Sequence, residues 1–264
     1  MLGLLGVGSL LAVGCSDGAE TTGRRIVLDT MMTAGPEATQ PFTTSQGWTI
    51  SLSKILISTG PLYYFDGAVI FSRLEPPSNP TYEFLERYIG IRSAHAHPGH
   101  YVPGNARGEV LVGTTVDLHD GPVQLATGEG VTGLVRSATF SFGASPAGPL
   151  AAELGSNVMV VEGTATRGEA TRTFRAELAT SDLINTKKIP AIEGCPFDTT
   201  TMEFDGVVTI TVRVPYWFDQ VEFDELPAGL AADPTVMPVS SIARNELVRG
   251  MKAGDAYLFS YSKK

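Results

Sequence analysis

The stretch VVTITVRV, residues 207–214, has the clearest alternating pattern of the chain. Its apolar positions are Val208, Ile210, Val212 and Val214, and its polar positions are Thr209, Thr211 and Arg213. Successive side chains of a β-strand point to opposite faces, and β-branched residues pack well on a pleated surface. The stretch therefore predicts a half-buried strand that belongs to a sheet with a hydrophobic interior.

Strand-like runs recur along the rest of the chain, with turn residues between them. They cover residues 24–30, 47–57, 61–71, 108–118, 132–142, 157–166, 171–178 and 255–262. Residues 240–250 predict a short helix, with Ser241 as its N-cap and Gly250 as a left-handed closing residue. Together these runs predict an all-β fold, an antiparallel β-sandwich or barrel with long loops and one or two short helices.

Charge and composition narrow the class of partner. The chain has 19 Lys and Arg against 28 Asp and Glu, a net charge of -9, and its basic residues are scattered. Without a basic run or stripe, nucleic acid is excluded as a partner. No composition shift divides residues 24–264, so we expect them to form a single β-rich domain.

The first residues predict export. Residues 1–14 are uncharged and mostly apolar, which is typical of a signal peptide and too short for a membrane-spanning helix. LAVGCS, residues 11–16, resembles a bacterial lipobox. The resemblance implies cleavage before Cys15, lipidation of Cys15, a tether over residues 15–23 and, from Ser16, anchoring to the outer membrane. The alternative is a buried N-terminal helix in which Cys15 is incidental.

Three of the four histidines lie in HAHPGHY, residues 95–101, and the fourth is His119. In an extended segment His95 and His97 point to one face, and a Pro-Gly reversal would return His100 towards them. Imidazole is a preferred ligand of copper and zinc, so these residues predict a transition-metal site with His119 as the fourth donor. Asp117 or Asp120 would accept the outer N–H of a ligating imidazole. The alternative is a histidine-rich loop that faces solvent or a partner.

Catalytic motifs in a supporting context are absent from the sequence. No HExxH stretch occurs, and the GxSxG match GCSDG, residues 14–18, lies in the lipobox-like stretch and not between a predicted strand and a helix, so we expect no enzymatic activity. The carboxylates between Asp219 and Glu225 are expected to form a solvated turn, and Trp48 and Trp217 to pack as core or surface-anchor aromatics. Cys195 is the only other cysteine besides Cys15, and we expect it to be buried and inert, with a ligand role as the alternative.

Several stretches together support a family resemblance: GWTISLSK at 47–54, LYYFDG at 62–67, VTITVRVPYWFDQVEF at 208–223 and NELVRGM at 245–251. Their order resembles the periplasmic copper-binding protein family associated with methanobactin operons. The resemblance implies a β-rich, exported protein that handles copper, with a possible protein partner for metal transfer. The alternative function is a non-enzymatic surface lipoprotein whose β-sandwich binds a protein or a glycan.

Overall fold

The computed structural model describes residues 23–69, 101–230 and 233–264. In these residues the chain forms fifteen strands: β1 (Arg25–Ala34), β2 (Phe42–Thr43), β3 (Thr49–Ser58), β4 (Leu62–Phe65), β5 (Ala106–Val110), β6 (Thr115–Asp117), β7 (Val123–Gln124), β8 (Gly128–Val131), β9 (Gly133–Ser141), β10 (Met159–Arg167), β11 (Ala170–Leu178), β12 (Ala191–Met202), β13 (Gly206–Val212), β14 (Thr235–Val236) and β15 (Tyr257–Lys263). The α-helices of the same residues are α1 (Ala151–Leu154), α2 (Pro215–Phe218) and α3 (Ile242–Met251).

Eight strands close into a barrel. Their order is β13, β15, β12, β9, β4, β5, β8 and β1, and β1 then pairs in parallel with β13. The short strand β7 pairs with β1 beyond the end of β8. The predicted all-β class is confirmed, although the pairs β1–β13, β12–β15 and β11–β14 run parallel.

Strand β13 shows why these residues build a barrel wall. Val208, Ile210, Val212 and the following Val214 are fully buried, and the residues between them are only partly buried. Inside the barrel, the Tyr64 ring of β4 packs edge-on against Phe197 and Phe259, at 5.7 and 6.0 Å between ring centroids. The alternation predicted for this stretch is confirmed, and its buried side chains face the aromatic interior of the barrel.

A second sheet packs beside the barrel. Its order is β14, β11, β10, β3 and β2, and β6 pairs with the same strand β3. The hairpin of β10 and β11 is in register over its whole length, from Met159 opposite Leu178 to Arg167 opposite Ala170. One hydrophobic core contains buried side chains from both sheets, which makes the barrel and the second sheet parts of one packed body.

The strand directions define two ends of the barrel. At one end, here called the N-terminal rim, β1, β5, β9 and β13 begin, and β4, β8, β12 and β15 end. At the other end, here called the opposite rim, the same strands reverse these roles. The chain passes from the barrel to the second sheet and to α2 at the opposite rim, through the residues that follow Ala34, Val110, Ser141 and Val212.

Helix α2 joins the two layers at the opposite rim. Pro215 begins this short helix, a position where the missing N–H of proline is harmless. Trp217 and Phe218 of this helix are buried, and their rings contact different layers. The Trp217 ring lies 6.5 Å from Tyr257 of the barrel, and the Phe218 ring lies 5.6 Å from Phe174 of the second sheet. Trp217 is thus a core residue, as is the fully buried Trp48.

Three details differ from the sequence prediction. Residues 108–118, predicted as one strand, divide into β5 in the barrel and β6 in the second sheet, because the chain changes sheet between them. Strand β12 was not predicted. Helix α3 continues to Met251 and is capped by Lys252, so the predicted closing role of Gly250 is wrong, whereas Ser241 accepts the Arg244 N–H at 3.1 Å as predicted.

Candidate functional site

The predicted site residues Cys15, His95, His97 and His100 lie outside the described residues, as do residues 1–14 of the predicted signal peptide. The residues that flank residues 70–100 in sequence are described, and they lie at the N-terminal rim. β4 ends there at Phe65, and β5 begins there at Ala106, its partner in the ladder. The end of β4 and the start of β5, the described strands on either side of the histidine-bearing stretch, therefore lie at this rim.

Asp66 fastens the two flanking stretches together. Its carboxylate accepts four hydrogen bonds, from the backbone N–H and the side-chain amide of Asn105, at 2.7 and 3.1 Å, and from Nε and Nη2 of Arg107, at 3.2 and 2.7 Å. Gly67 donates its N–H to the Pro103 carbonyl at 2.8 Å. A Cβ on Gly67 would lie only 2.2 Å from the Val102 carbonyl oxygen, so the approach requires glycine. We call Asp66, Asn105 and Arg107 the carboxylate clamp.

The clamp changes the acidity of its carboxylate. Partial burial raises the pKa of Asp66, but the hydrogen bonds from Asn105 and the hydrogen bonds and positive charge of Arg107 lower it more, so the net pKa lies below its ordinary value. Each of these bonds favours the charged form of the acid. The clamp is therefore strongest when Asp66 is ionised.

Tyr101, the residue after His100, is fixed on the barrel wall. Its hydroxyl donates to Oγ of Ser137 at 2.8 Å, and Ser137 in turn donates to the Gly67 carbonyl. The ring lies on Gly194, where φ is +73° and an added Cβ would stand 3.3 Å from the ring. Burial raises the pKa of Tyr101, so its hydroxyl stays protonated and able to donate.

His119 lies elsewhere in the molecule. It follows β6 in the second sheet, where the Leu118 N–H donates to the Ile55 carbonyl. Phe65 lies at the N-terminal rim, about ten residues after Ile55. Most of the chain between them is extended, with a rise of roughly 3.3 Å per residue. His119 is half-buried, and the described residues do not bring it to the carboxylate clamp.

Asp117 bonds to two backbone groups through one of its carboxylate oxygens. Its Oδ1 accepts the backbone N–H groups of His119 and Ile55, at 2.9 and 3.2 Å. Within residues 23–69, 101–230 and 233–264, no three side chains of histidine, cysteine, aspartate and glutamate are grouped to hold a metal ion. The predicted donors outside these ranges, together with His119 as fourth donor, stay a prediction.

Cys195 is fully buried, as predicted. It pairs with Ala138, which also pairs with Tyr64, so its side chain shares the inner face of the barrel wall. Its thiol donates to the Ile192 carbonyl at 3.4 Å, and burial raises its pKa to about 12. Because the thiolate is the form that binds metals and reacts with electrophiles, this cysteine is inert in the folded protein.

The acidic run after Trp217 is used in structural contacts. Glu222 accepts from Nη1 of Arg167 at 3.0 Å, and Asp224 accepts from Nη2 of the same guanidinium, which also covers the Trp48 ring at 4.4 Å from the centroid. Glu225 accepts the Ala243 N–H at 2.9 Å, near the start of α3. These carboxylates tie a turn to the second sheet and to α3.

The carboxylate clamp, Tyr101 and Ser137 were not identified from the sequence. The available signal was modest: Asp66-Gly67 and Pro103-Gly104-Asn105 are turn sequences at the two ends of one long stretch. Two such turns indicate where a stretch leaves a sheet and returns to it. They do not indicate that their side chains bond to one another, because that depends on the pairing of β4 with β5.

Comparison with models of protein families, with curated proteins and with solved structures finds no match to this chain. Among the helices of the described residues, none has the length and apolar character needed to span a membrane.

Proposed function

We propose that this chain is an exported lipoprotein that binds copper or zinc through His95, His97 and His100 and acts in metal binding or delivery. The observation that supports the proposal best is the fixed base of the histidine-bearing stretch. The carboxylate clamp joins the described residues on its two sides, and Tyr101, the residue after His100, is held against the barrel wall by its bond to Ser137. Holding the ends of a loop together reduces the entropy that is lost when its side chains converge on an ion.

The donor set fits this chemistry. Neutral imidazole binds both Cu(II) and Zn(II), and a site needs three or four donors at about 2.0–2.1 Å from the ion. Three histidines within six residues can supply most of a coordination shell locally. Cys195 does not add a donor to this shell, because its thiol is buried on the inner face of the barrel wall.

His119 is the part of the proposed site with the least support from the fold. It lies in the turn that follows β6 of the second sheet, whereas the carboxylate clamp is at the N-terminal rim of the barrel. We therefore propose that the local histidines provide the essential donors and that removal of the His119 imidazole has little effect on metal uptake.

Equilibrium dialysis of the full chain against micromolar Cu(II) or Zn(II) tests the proposal. The wild type is expected to bind roughly one ion per chain, and the double variant His95→Ala, His97→Ala to lose uptake at the same concentration. His119→Ala and Cys195→Ser are matched controls that should keep it. Circular dichroism on each variant verifies that the β fold is retained.

Two results would overturn the proposal: a folded wild-type chain that takes up neither metal, or a double histidine variant that binds as well as the wild type. Loss of uptake in His119→Ala alone would instead place that residue in the site. A chain that binds no metal would favour the alternative function, a surface lipoprotein that binds a protein or a glycan and carries its histidines in an interaction loop.

A further inference from the structure

An exposed aromatic side chain stands at the tip of the N-terminal rim. Phe204 lies in the turn between β12 and β13 and is 43% exposed. Two cations cover its ring: the Lys263 ammonium at 3.8 Å from the centroid and the Arg24 guanidinium at 5.8 Å. The turn is held in place, because Tyr261 donates its hydroxyl to the Phe204 carbonyl at 2.8 Å. The ring is thus presented to solvent from a fixed turn.

The charge around this ring differs from that of the whole chain. Exposed basic residues near this ring are Arg24, Arg25, Lys263 and Lys264. Acidic residues lie among them: Asp29, and Glu203 and Asp205 on either side of Phe204. Asp29 forms an ion pair with Lys264 at 2.6 Å, and Asp205 accepts the Val27 N–H at 2.8 Å. In a chain with a net charge of -9, this small basic excess around an apolar ring is local.

The sequence places the proposed lipid anchor close to the same rim. Cys15 precedes Arg24 by a short polar stretch, and at roughly 3.3–3.6 Å per residue an extended chain of that length reaches about 30 Å at most. A lipid on Cys15 would therefore hold Arg24, and the rim to which it belongs, within that distance of a bilayer. The chain passes from the barrel to the second sheet at the opposite rim.

We infer that the N-terminal rim docks on the surface of an anionic lipid bilayer, with Phe204 among the headgroups and Arg24 and Lys263 against lipid phosphates. The inference rests on the lipid anchor at Cys15 that forms part of the proposed function. Aromatic rings and long basic side chains suit this depth, since the ring is buried while the charge stays in water. Anionic lipids attract exposed lysines and arginines near the membrane.

Docking in this orientation would set where the histidine-bearing stretch is presented. Its flanking residues are on the same rim as Phe204, so a docked barrel holds the carboxylate clamp on its membrane-facing side. The second sheet would then face away from the bilayer, towards the aqueous compartment.

A fluorescent label at Phe204 tests the docking. The full-length lipidated chain carrying Phe204→Cys would be labelled with an environment-sensitive nitrobenzoxadiazole maleimide and reconstituted into vesicles of phosphatidylcholine, with or without phosphatidylglycerol. The native Cys195 is buried and does not compete for the label. The matched control is Val236→Cys, at a residue of similar exposure, 51%, on the second sheet. Flotation with the vesicles reports the lipid anchor separately.

We expect the label at position 204 to brighten several-fold and shift to the blue on vesicles with phosphatidylglycerol, and the label at position 236 to keep its emission in water. Lys263→Glu should reduce the response at position 204, and Lys252→Glu, an equal charge change near the opposite rim, should leave it unchanged.

Three outcomes would overturn the inference. The first is a chain that floats with vesicles while the label at position 204 stays in water. The second is an equal response on vesicles with and without phosphatidylglycerol, which would exclude recognition of anionic lipid. The third is a chain that does not float with the vesicles, which would show that no lipid anchor holds it on the bilayer. Metal uptake measured on the same preparation distinguishes each of these failures from failure of the proposed metal site.

Discussion

The two rims of the barrel are held together by different kinds of contact. At the opposite rim, buried aromatic rings on α2 connect the barrel to the second sheet, and most connections between the layers pass there. At the N-terminal rim, the carboxylate clamp, hydroxyl bonds and cations over an exposed ring fix the chain. The contrast is between a rim fixed by apolar packing in the core and a rim fixed by polar and cation–ring contacts at the surface.

Phe218→Ala should give the largest loss of stability. The Phe218 ring is fully buried among Phe42, Phe174 and Phe223, so truncation leaves a cavity between the helix and the second sheet. We expect the free energy of unfolding to fall by about 3–5 kcal/mol. Urea unfolding followed by circular dichroism measures it. A loss below about 1 kcal/mol would show that the opposite rim does not depend on its aromatic packing.

Asp66→Ala should have an intermediate effect that depends on pH. Loss of the carboxylate leaves Nε and Nη2 of Arg107 without their common acceptor, at an expected cost of about 1–3 kcal/mol near pH 7. Since the pKa of Asp66 in the folded protein lies below its ordinary value of 3.8, the ionised clamp stabilises the fold above that value. This contribution is lost as the pH falls through the folded pKa.

Urea unfolding of the wild type and of Asp66→Ala at neutral and at strongly acidic pH measures this dependence. The difference between the two proteins should shrink in acid. Asp120→Ala, at an exposed aspartate of the second sheet's loop, is the matched control and should differ little from the wild type at either pH. An equal loss for Asp66→Ala at both pH values would contradict an electrostatic role of the clamp.

Phe204→Ala should have the smallest effect on the isolated protein. The ring is partly exposed and its cation contacts are solvated, so we expect a change within about 0.5 kcal/mol in the free energy of unfolding. Paired with Phe218→Ala, it compares the same substitution at the two rims. A loss above about 2 kcal/mol would mean that Phe204 stabilises the fold, and the distinction between the rims would fail.

Local patterns predicted the strands that carry the core. The predicted inward-facing residues Val208, Ile210, Val212 and Val214 are buried, and residues 132–142 and 171–178 correspond closely to β9 and β11. The cause is direct: when one face of a strand is buried, period-two alternation is imposed on the sequence itself.

Strand β12 was missed for an equally local reason. It contains Gly194 and Pro196, residues that are unfavourable within strands, and the ladder to β9 is irregular at both places. Gly194 adopts a positive φ of +73° there. The strand is defined by its neighbours β9 and β15, and no alternation in its own residues indicates that.

The candidate site was predictable only in part. Clustering of His95, His97 and His100 is a property of the sequence, and so is the chemistry of imidazole. The carboxylate clamp could not be predicted, because Asp66 and Arg107 are far apart in the chain and meet only through the pairing of β4 with β5. The position of His119 in the fold could not be predicted either, since nothing in the stretch around it indicates which sheet that stretch joins.

The parallel pair that closes the barrel also constrains the order of folding. Leu28 of β1 pairs with Gly206 of β13. One edge of β1 therefore stays unpaired until residues far along the chain are available to form β13. Contacts of such sequence separation form slowly, and an uncovered strand edge in the meantime invites pairing with other chains. A newly synthesised chain would thus depend on protection against aggregation until most of its length has emerged.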